Sequence, residues 1–293
     1  MDALIDPSSE PTRQPLPRVR SRQPREAAEG STSADRAQAD TVSALRRGIE
    51  MLRCFSETRQ SLTPTELSRL TGVPRPTVTR MAATLVALGF LTQDAQERYA
   101  LGPGVVSLAR VFLSGLDIRA VARPLMQALS EATGGFVYLS VPDGFDMVLI
   151  EVCRPRATLM APRLDVGSRA PLPTSALGRA YLWALAADER SRVIDSLRLA
   201  RGSEWAAVEP GLMKALADAD SSGYCLSAGE FHREISSAAV PIIGPGGERM
   251  ALNCGMAAML YTEQHLREHI APQLLAAAAQ LAQEIGGQVP QAA

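Results

Sequence analysis

No stretch of this chain of 293 residues approaches the ~18 consecutive apolar residues that a membrane-spanning helix requires. The opening MDALIDPSSEPTRQPLPRVR has acids and prolines where a secretory signal needs a basic start and an apolar stretch. A cytoplasmic protein with no membrane partner is therefore expected. Cysteine is scarce: Cys54, Cys153, Cys225 and Cys254 form no C-x-x-C pair, which leaves neither a zinc site nor a redox motif and points to buried thiols. Lysine is almost absent, Lys214 being the only one, and no function follows from that. There is no Gly-rich phosphate loop, because GPGGE falls in a hairpin turn rather than between a strand and a helix. No cofactor is expected.

Charge is unevenly spread. Residues 41–110 carry nine arginines against five acids, residues 1–40 six against seven, and the remainder fifteen basic residues against nineteen acids. The basic excess sits in one compact segment, as it would if that segment alone met a polyanion. The length suits two domains, and nearly half the residues are apolar (46%), enough for true cores.

Residues 1–40 are rich in Pro, Ser, Arg and Glu without hydrophobic periodicity, and a disordered tail is expected there. From 42 to 57, Val42, Leu45, Ile49, Leu52 and Phe55 share one helical face. In LTPTEL, Thr63 and Glu66 have capping-box spacing with Pro64 at the first helical position. That helix ends at Gly72. A third helix begins near Pro76, with Val78, Met81, Ala82, Leu85 and Leu88 inward. Arg75, Thr79, Arg80 and Ala83 lie on its other side, with Thr77 and Thr84 at the border. FLTQDAQERYAL reads as a hairpin turning at 94–97. Residues 41–102 thus read as a winged helix-turn-helix. In such a unit the second helix of the pair enters the major groove, where Arg pairs with guanine and the Thr methyl packs on thymine. The expected base readers are Arg75, Thr77, Thr79 and Arg80; the expected phosphate contacts are Arg46, Thr63, Thr65 and Arg98; Thr84 is a further expected DNA-binding residue. The alternative is a small bundle with a solvated Arg/Thr face.

Residues 103–118 read as a linker helix with more apolar residues than one stripe needs, which suggests a second subunit. Residues 119–285 mix helices and antiparallel strands, so the chain is read as α+β, with residues 286–293 as a C-terminal tail.

The order of these parts resembles the isocitrate-lyase-regulator (IclR) family of bacterial transcription factors. Four passages carry the resemblance: LTPTELSRLTGVPRPTVTRMAATLVALGFL, RPLMQALSEATG, APLPTSALGRAYLWAL and GYCLSAGEFHREISSAAVPI. It implies a DNA-binding dimer or tetramer on a palindromic operator. It also implies a GAF-like effector domain for a small organic or aromatic acid. Carried over by position, the effector wall would include Ala176, Leu177, Ser227, Ser237, Cys254 and Met256, with core packing as the alternative role for Cys254 and Met256. Ser227 stands where relatives often have an acid, and Cys254 and Met256 stand where some have serine, so a less polar pocket is expected. Backbone N–H groups near Ser175 to Leu177 would favour an anion. Glu230, His232, Arg233 and Glu234 in GEFHREI read as a salt-bridged rim.

Two enzyme readings compete. HLREH matches an inverted zinc-protease motif through His265 and His269, but a catalytic zinc needs a third ligand. Ser175 as a nucleophile would need a histidine base, and TSALG is not G-x-S-x-G. No catalytic or metal-binding residue is assigned. A metabolite-binding module without DNA binding is the remaining alternative.

Overall fold

The computed structural model describes residues 42–156, 164–259 and 262–291; the expected N-terminal tail lies outside them. The chain divides between Val105 and Val106 into two compact units.

In the first unit, α1 (Ser43–Leu52), α2 (Pro64–Thr71) and α3 (Arg75–Ala87) precede β1 (Leu91–Gln93) and β2 (Tyr99–Leu101). α1 stops earlier than its apolar spacing suggests, giving way to a turn in which Ser56 pairs with Arg59. The capping box is present: Thr63 Oγ1 accepts from the Glu66 N–H at 3.2 Å, and Glu66 Oε2 accepts from the Thr63 N–H at 2.7 Å. Gly72 closes α2 in the left-handed conformation at φ 67°, which costs glycine nothing sterically. Leu62 exchanges two backbone hydrogen bonds with Tyr99 (2.9 and 2.8 Å), which ties the wing to the start of α2. Met51, Leu67, Val78, Ala82, Leu91 and Tyr99 meet in one buried core. The apolar face of α1 stays open among the described residues, Val42 and Leu45 being 66% and 65% exposed.

α4 (Gly104–Ser114) begins at the end of the wing and buries no residue. The second unit continues through α5 (Ile118–Thr133), β3 (Phe136–Asp143), β4 (Asp146–Cys153), β5 (Arg169–Pro171), α6 (Ala176–Trp183), α7 (Ala187–Arg201) and α8 (Trp205–Ser222). Then come β6 (Cys225–Ala228), β7 (Ile235–Ile243) and β8 (Arg249–Ala257). The closing helical run has a π-type turn at Leu266–Ile270 before α9 (Ala271–Glu284). The six strands form one antiparallel sheet in the order β5-β4-β3-β8-β7-β6. One face packs under α5 and α9; the other packs under α6, α7 and α8. This is the curled, GAF-like arrangement of an α+β unit. β5 has no strand pattern of its own: Arg169 and Ala170 run into Pro171 and Pro173, and Arg169–Pro171 becomes a strand because β4 offers it an edge. The expected C-terminal tail is corrected in its described part. Gln288 exchanges two hydrogen bonds with Ile243 (2.9 and 2.8 Å), so it is tied to the sheet.

Candidate functional site

Two sites take shape, one in each unit. In the first, α3 carries Arg at its first position, no acid in its first turn and no side-chain cap. A cation at a helix N-terminus opposes the macrodipole, so Arg75 is placed against local preference, as residues often are at functional sites. The side chains of Arg75 and Arg80 are exposed, and their guanidinium groups have neither ion pair nor hydrogen bond among the described residues. The Thr79 and Thr84 hydroxyls donate to the carbonyls of Arg75 (3.1 Å) and Arg80 (3.2 Å), and both threonines are exposed on the same helix. Thr77 is half-buried beside them.

The residues expected on phosphates divide differently. Thr65 is exposed on α2. Arg46 is exposed and paired with Glu50 at 3.0 Å. Thr63 is engaged in the cap described above. Arg98 donates from Nε and Nη2 to the Oγ and carbonyl of Ser61 (2.9 and 2.8 Å), leaving Nη1 without a bond among the described residues. Its first role is thus to hold the wing against the entry to α2.

In the second unit, Ser175 caps α6, its Oγ accepting from the Gly178 N–H at 3.0 Å and donating to the Pro171 carbonyl at 2.7 Å. A Cβ on Gly178 would lie 2.2 Å from Leu172 Cα; only glycine lets the helix approach this closely. The N–H groups of Ala176 and Leu177 have no partner among the described residues. They border a cavity of about 30 Å³ walled by Tyr138, Leu149, Ala170, Phe231, Ser237 and Asn253 among others. The Tyr138 hydroxyl is buried without a hydrogen-bond partner, and burial pushes its ionisation up. The hydroxyl of Ser237 and the amide of Asn253 likewise have none among the described residues. Arg169 also reaches the wall, but its guanidinium is held by Asp143 (2.6 Å) and Asp146 (2.9 Å).

Ala176, Leu177 and Ser237 therefore meet at one cavity. Three expectations need correction. Cys254 and Met256 sit on the opposite face of the sheet, in the core under α5 and α9. Side chains alternate along a strand, so a one-residue offset exchanges the faces; Asn253 and Gly255 are the cavity residues of β8. The Cys254 thiol, pushed up to about 11 by burial, lies 3.5 Å from Thr133 Oγ1, a packing role. Ser227 faces α6 but donates its hydroxyl to the Thr174 carbonyl at 2.7 Å, bracing the loop rather than lining the cavity. Tyr138, Leu149, Phe231 and Asn253 were missed. Asn253 had a signal: it is the single polar side chain of the strand ALNCGMAA.

The rim expectation holds for Glu230, whose carboxylate meets Arg179. The rings of His265 and His269 stack at 4.6 Å, and among the described residues no group of three His, Cys, Asp or Glu is placed to hold a metal ion. Among the described residues no helix is long and apolar enough to cross a membrane.

Comparison with known proteins agrees with this layout. The IclR helix-turn-helix domain matches residues 44–95 and the bacterial transcriptional regulator IclR C-terminal domain matches residues 111–283. The HTH-type transcriptional regulator TsaQ1/TsaQ2 of Comamonas testosteroni is 35% identical over 70% of this chain and 74% of its own length. A crystal structure of an IclR family regulator from Brucella abortus superposes with a TM-score of 0.78 at 35% identity, covering 87% of this chain and 97% of that one. An IclR homolog from Microbacterium hydrocarbonoxydans, solved with 4-hydroxybenzoate, shares the fold at 23% identity and a TM-score of 0.64, over 83% of this chain and 99% of its own. With a capped helix-turn-helix, a six-stranded sensor sheet and both family domains in order, this chain belongs to the IclR family of DNA-binding transcriptional regulators.

Proposed function

We propose that the protein binds a palindromic operator as a dimer, or as a dimer of dimers, and that a small organic acid seated at the N-terminus of α6 controls that binding. It acts as a regulator without catalysing a reaction. The observation that carries the DNA-facing half is the exposed pair Arg75 and Arg80 on α3, without intramolecular partners among the described residues. These two, with the methyl groups of Thr77, Thr79 and Thr84, read base edges in the major groove. Arg46, Thr65, the α2 end at Thr63 and the free Nη1 of Arg98 meet phosphates. The partner for dimerisation is a second copy: Val106, Leu108, Val111 and Phe112 of α4 are each more than half exposed (69%, 61%, 70% and 53%), an apolar face that a lone helix in water would not keep.

The effector-facing half rests on complementary chemistry. Two open N–H groups at the positive end of a helix favour an anion, apolar walls favour a hydrocarbon or aryl body, and the unpaired Tyr138, Ser237 and Asn253 groups favour a second polar substituent. The aromatic acid bound by the Microbacterium homolog has this two-ended character.

A titration against DNA from upstream of the gene and its neighbours, at several salt concentrations and with unrelated competitor, tests the reading. Sequence-preferring affinity that falls linearly in log salt is expected. No affinity for any DNA at low salt would overturn it.

A further inference from the structure

The cavity at α6 is too small for its proposed occupant. A benzene-sized guest needs about 150 Å³, and the cavity offers about 30 Å³. Some part of the wall must move. The sheet residues Tyr138, Leu149, Ser237 and Asn253 are fixed in the ladder. α6 is pinned against Leu172 through Gly178. β5 is held by Arg169 on its two aspartates. Two wall residues lie in loops: Leu164, whose carbonyl accepts from Arg154 Nη2 at 3.0 Å, and Phe231, in the β6–β7 loop, residues 229–234, where His232, Arg233 and Glu234 are exposed.

That loop has one side-chain ion pair to the body among the described residues. Glu230 takes both Arg179 terminal nitrogens, Nη1 and Nη2, at 2.6 Å each. The partners are unequal. The Arg179 side chain is 3% exposed and also donates to the carbonyls of Pro173 (3.0 Å) and Leu226 (2.7 Å). The Glu230 side chain is 38% exposed. When the pair parts, Glu230 passes into water and Arg179 keeps two carbonyl acceptors, so only one charge is left buried without its counter-ion. That asymmetry suits a contact that opens and recloses, unlike a fully buried pair. α8 leaves room for it. A Cβ on Gly211, in the interior of that helix, would sit 2.5 Å from Glu230 Oε1 and 3.1 Å from Arg179 Nη2, at a position where glycine is otherwise unfavourable.

We infer that the β6–β7 loop is a gate over the effector cavity, with Phe231 as its plug and the Glu230–Arg179 pair as its latch. This rests on the cavity being the effector site. Because Arg179 stands on the same helix as the Ala176 and Leu177 N–H groups, opening the latch and presenting the anion cradle involve one rigid element. A ligand that binds only behind the open gate has its apparent affinity reduced by the fraction of time the gate is shut.

The test needs no knowledge of the ligand. In the full chain, S237C places a thiol in the cavity wall, and its rate of modification by methyl methanethiosulfonate reports opening. Added to that background, E230Q and G211A should each raise the rate about tenfold or more, with F231A at least as fast. G211A leaves both charged side chains in place, pushes on their contact through its new Cβ and improves the helix propensity of α8, so a faster rate there that Cys254 does not share reports the latch rather than unfolding. An unchanged rate in E230Q and G211A overturns the gate. So does a parallel rise at Cys254, which lies on the opposite face of the sheet and reports general loosening. A gate that behaves as expected, in a protein whose DNA affinity responds to no organic acid, would instead remove the effector reading while leaving the gate in place.

Discussion

Arginine is used in opposite ways in the two units. In the second, Arg119 and Arg123 close on the buried Glu151 (3.0 and 2.7 Å), Arg169 on two aspartates, Arg179 on Glu230, and Arg249 on Glu189 (2.9 Å). Each binds one element of the sensor fold to another. On α3 of the first unit, Arg75 and Arg80 are left in water with no such partner among the described residues. A guanidinium committed to a buried or bridging pair has little left to offer a phosphate or a guanine, whereas an exposed pair within one helix, such as Arg46–Glu50, exchanges its partner readily. The difference shows that the basic excess of residues 41–110 matters less by its size than by how much of it is uncommitted.

The contrast can be broken by experiment. Arg179→Met should lower the unfolding free energy of the sensor unit by about 3 kcal/mol, the low end for a buried pair because Glu230 is partly exposed. Urea unfolding would measure it, and a change below about 1 kcal/mol would mean the paired arginines are not structural. Arg80→Ala should cost about 1–3 kcal/mol of operator affinity and relax sequence preference, with stability unchanged within about 0.5 kcal/mol. Fluorescence anisotropy on matched and scrambled duplexes would show it; an equal loss on every sequence would make Arg80 a phosphate contact. Thr63→Ala should remove about 1 kcal/mol from the first unit through the lost cap, visible as a lower urea midpoint. The smallest effect concerns Glu66. Hydrogen bonds from the Thr63 backbone, then its hydroxyl, hold the Glu66 carboxyl below its usual 4.5. A depressed carboxylate stabilises the fold above that value and loses its contribution as pH falls through the lowered one. Glu66→Gln should therefore lower the first unit's stability slightly at neutral pH, converge with the parent at low pH and so flatten part of the acid limb, as a thermal melt series would record.

Much of the first unit was legible because its signals are local. Thr63, Pro64, Glu66 and Gly72 determine α2 within ten residues, and the hairpin turn is set by Asp94, whose Oδ1 accepts from Gln96 and Arg98 (2.9 and 2.8 Å). The cap of α6 is local in the same way, Ser175 Oγ accepting from the Gly178 N–H three residues on. Failure came where the answer depended on register. In ALNCGMAA only Asn253 distinguishes one alternate set from the other, and a single amide does not say which face meets α6; the pairing of Asn253 with Tyr138 and Ala239 decides it. β5 was hidden because three residues make a strand only where an edge awaits them.

The amino-acid sequence alone determined the family, the order of the parts, the capped helix-turn-helix and the exposed arginines of α3, because caps, turns and helical periodicity act over a few residues. Tertiary structure alone decided which face of the sheet meets α6, which arginines are consumed by ion pairs, and that Phe231 reaches the cavity wall. Those outcomes depend on contacts between residues such as Arg179 and Glu230, far apart in the chain and adjacent only once the sheet has formed.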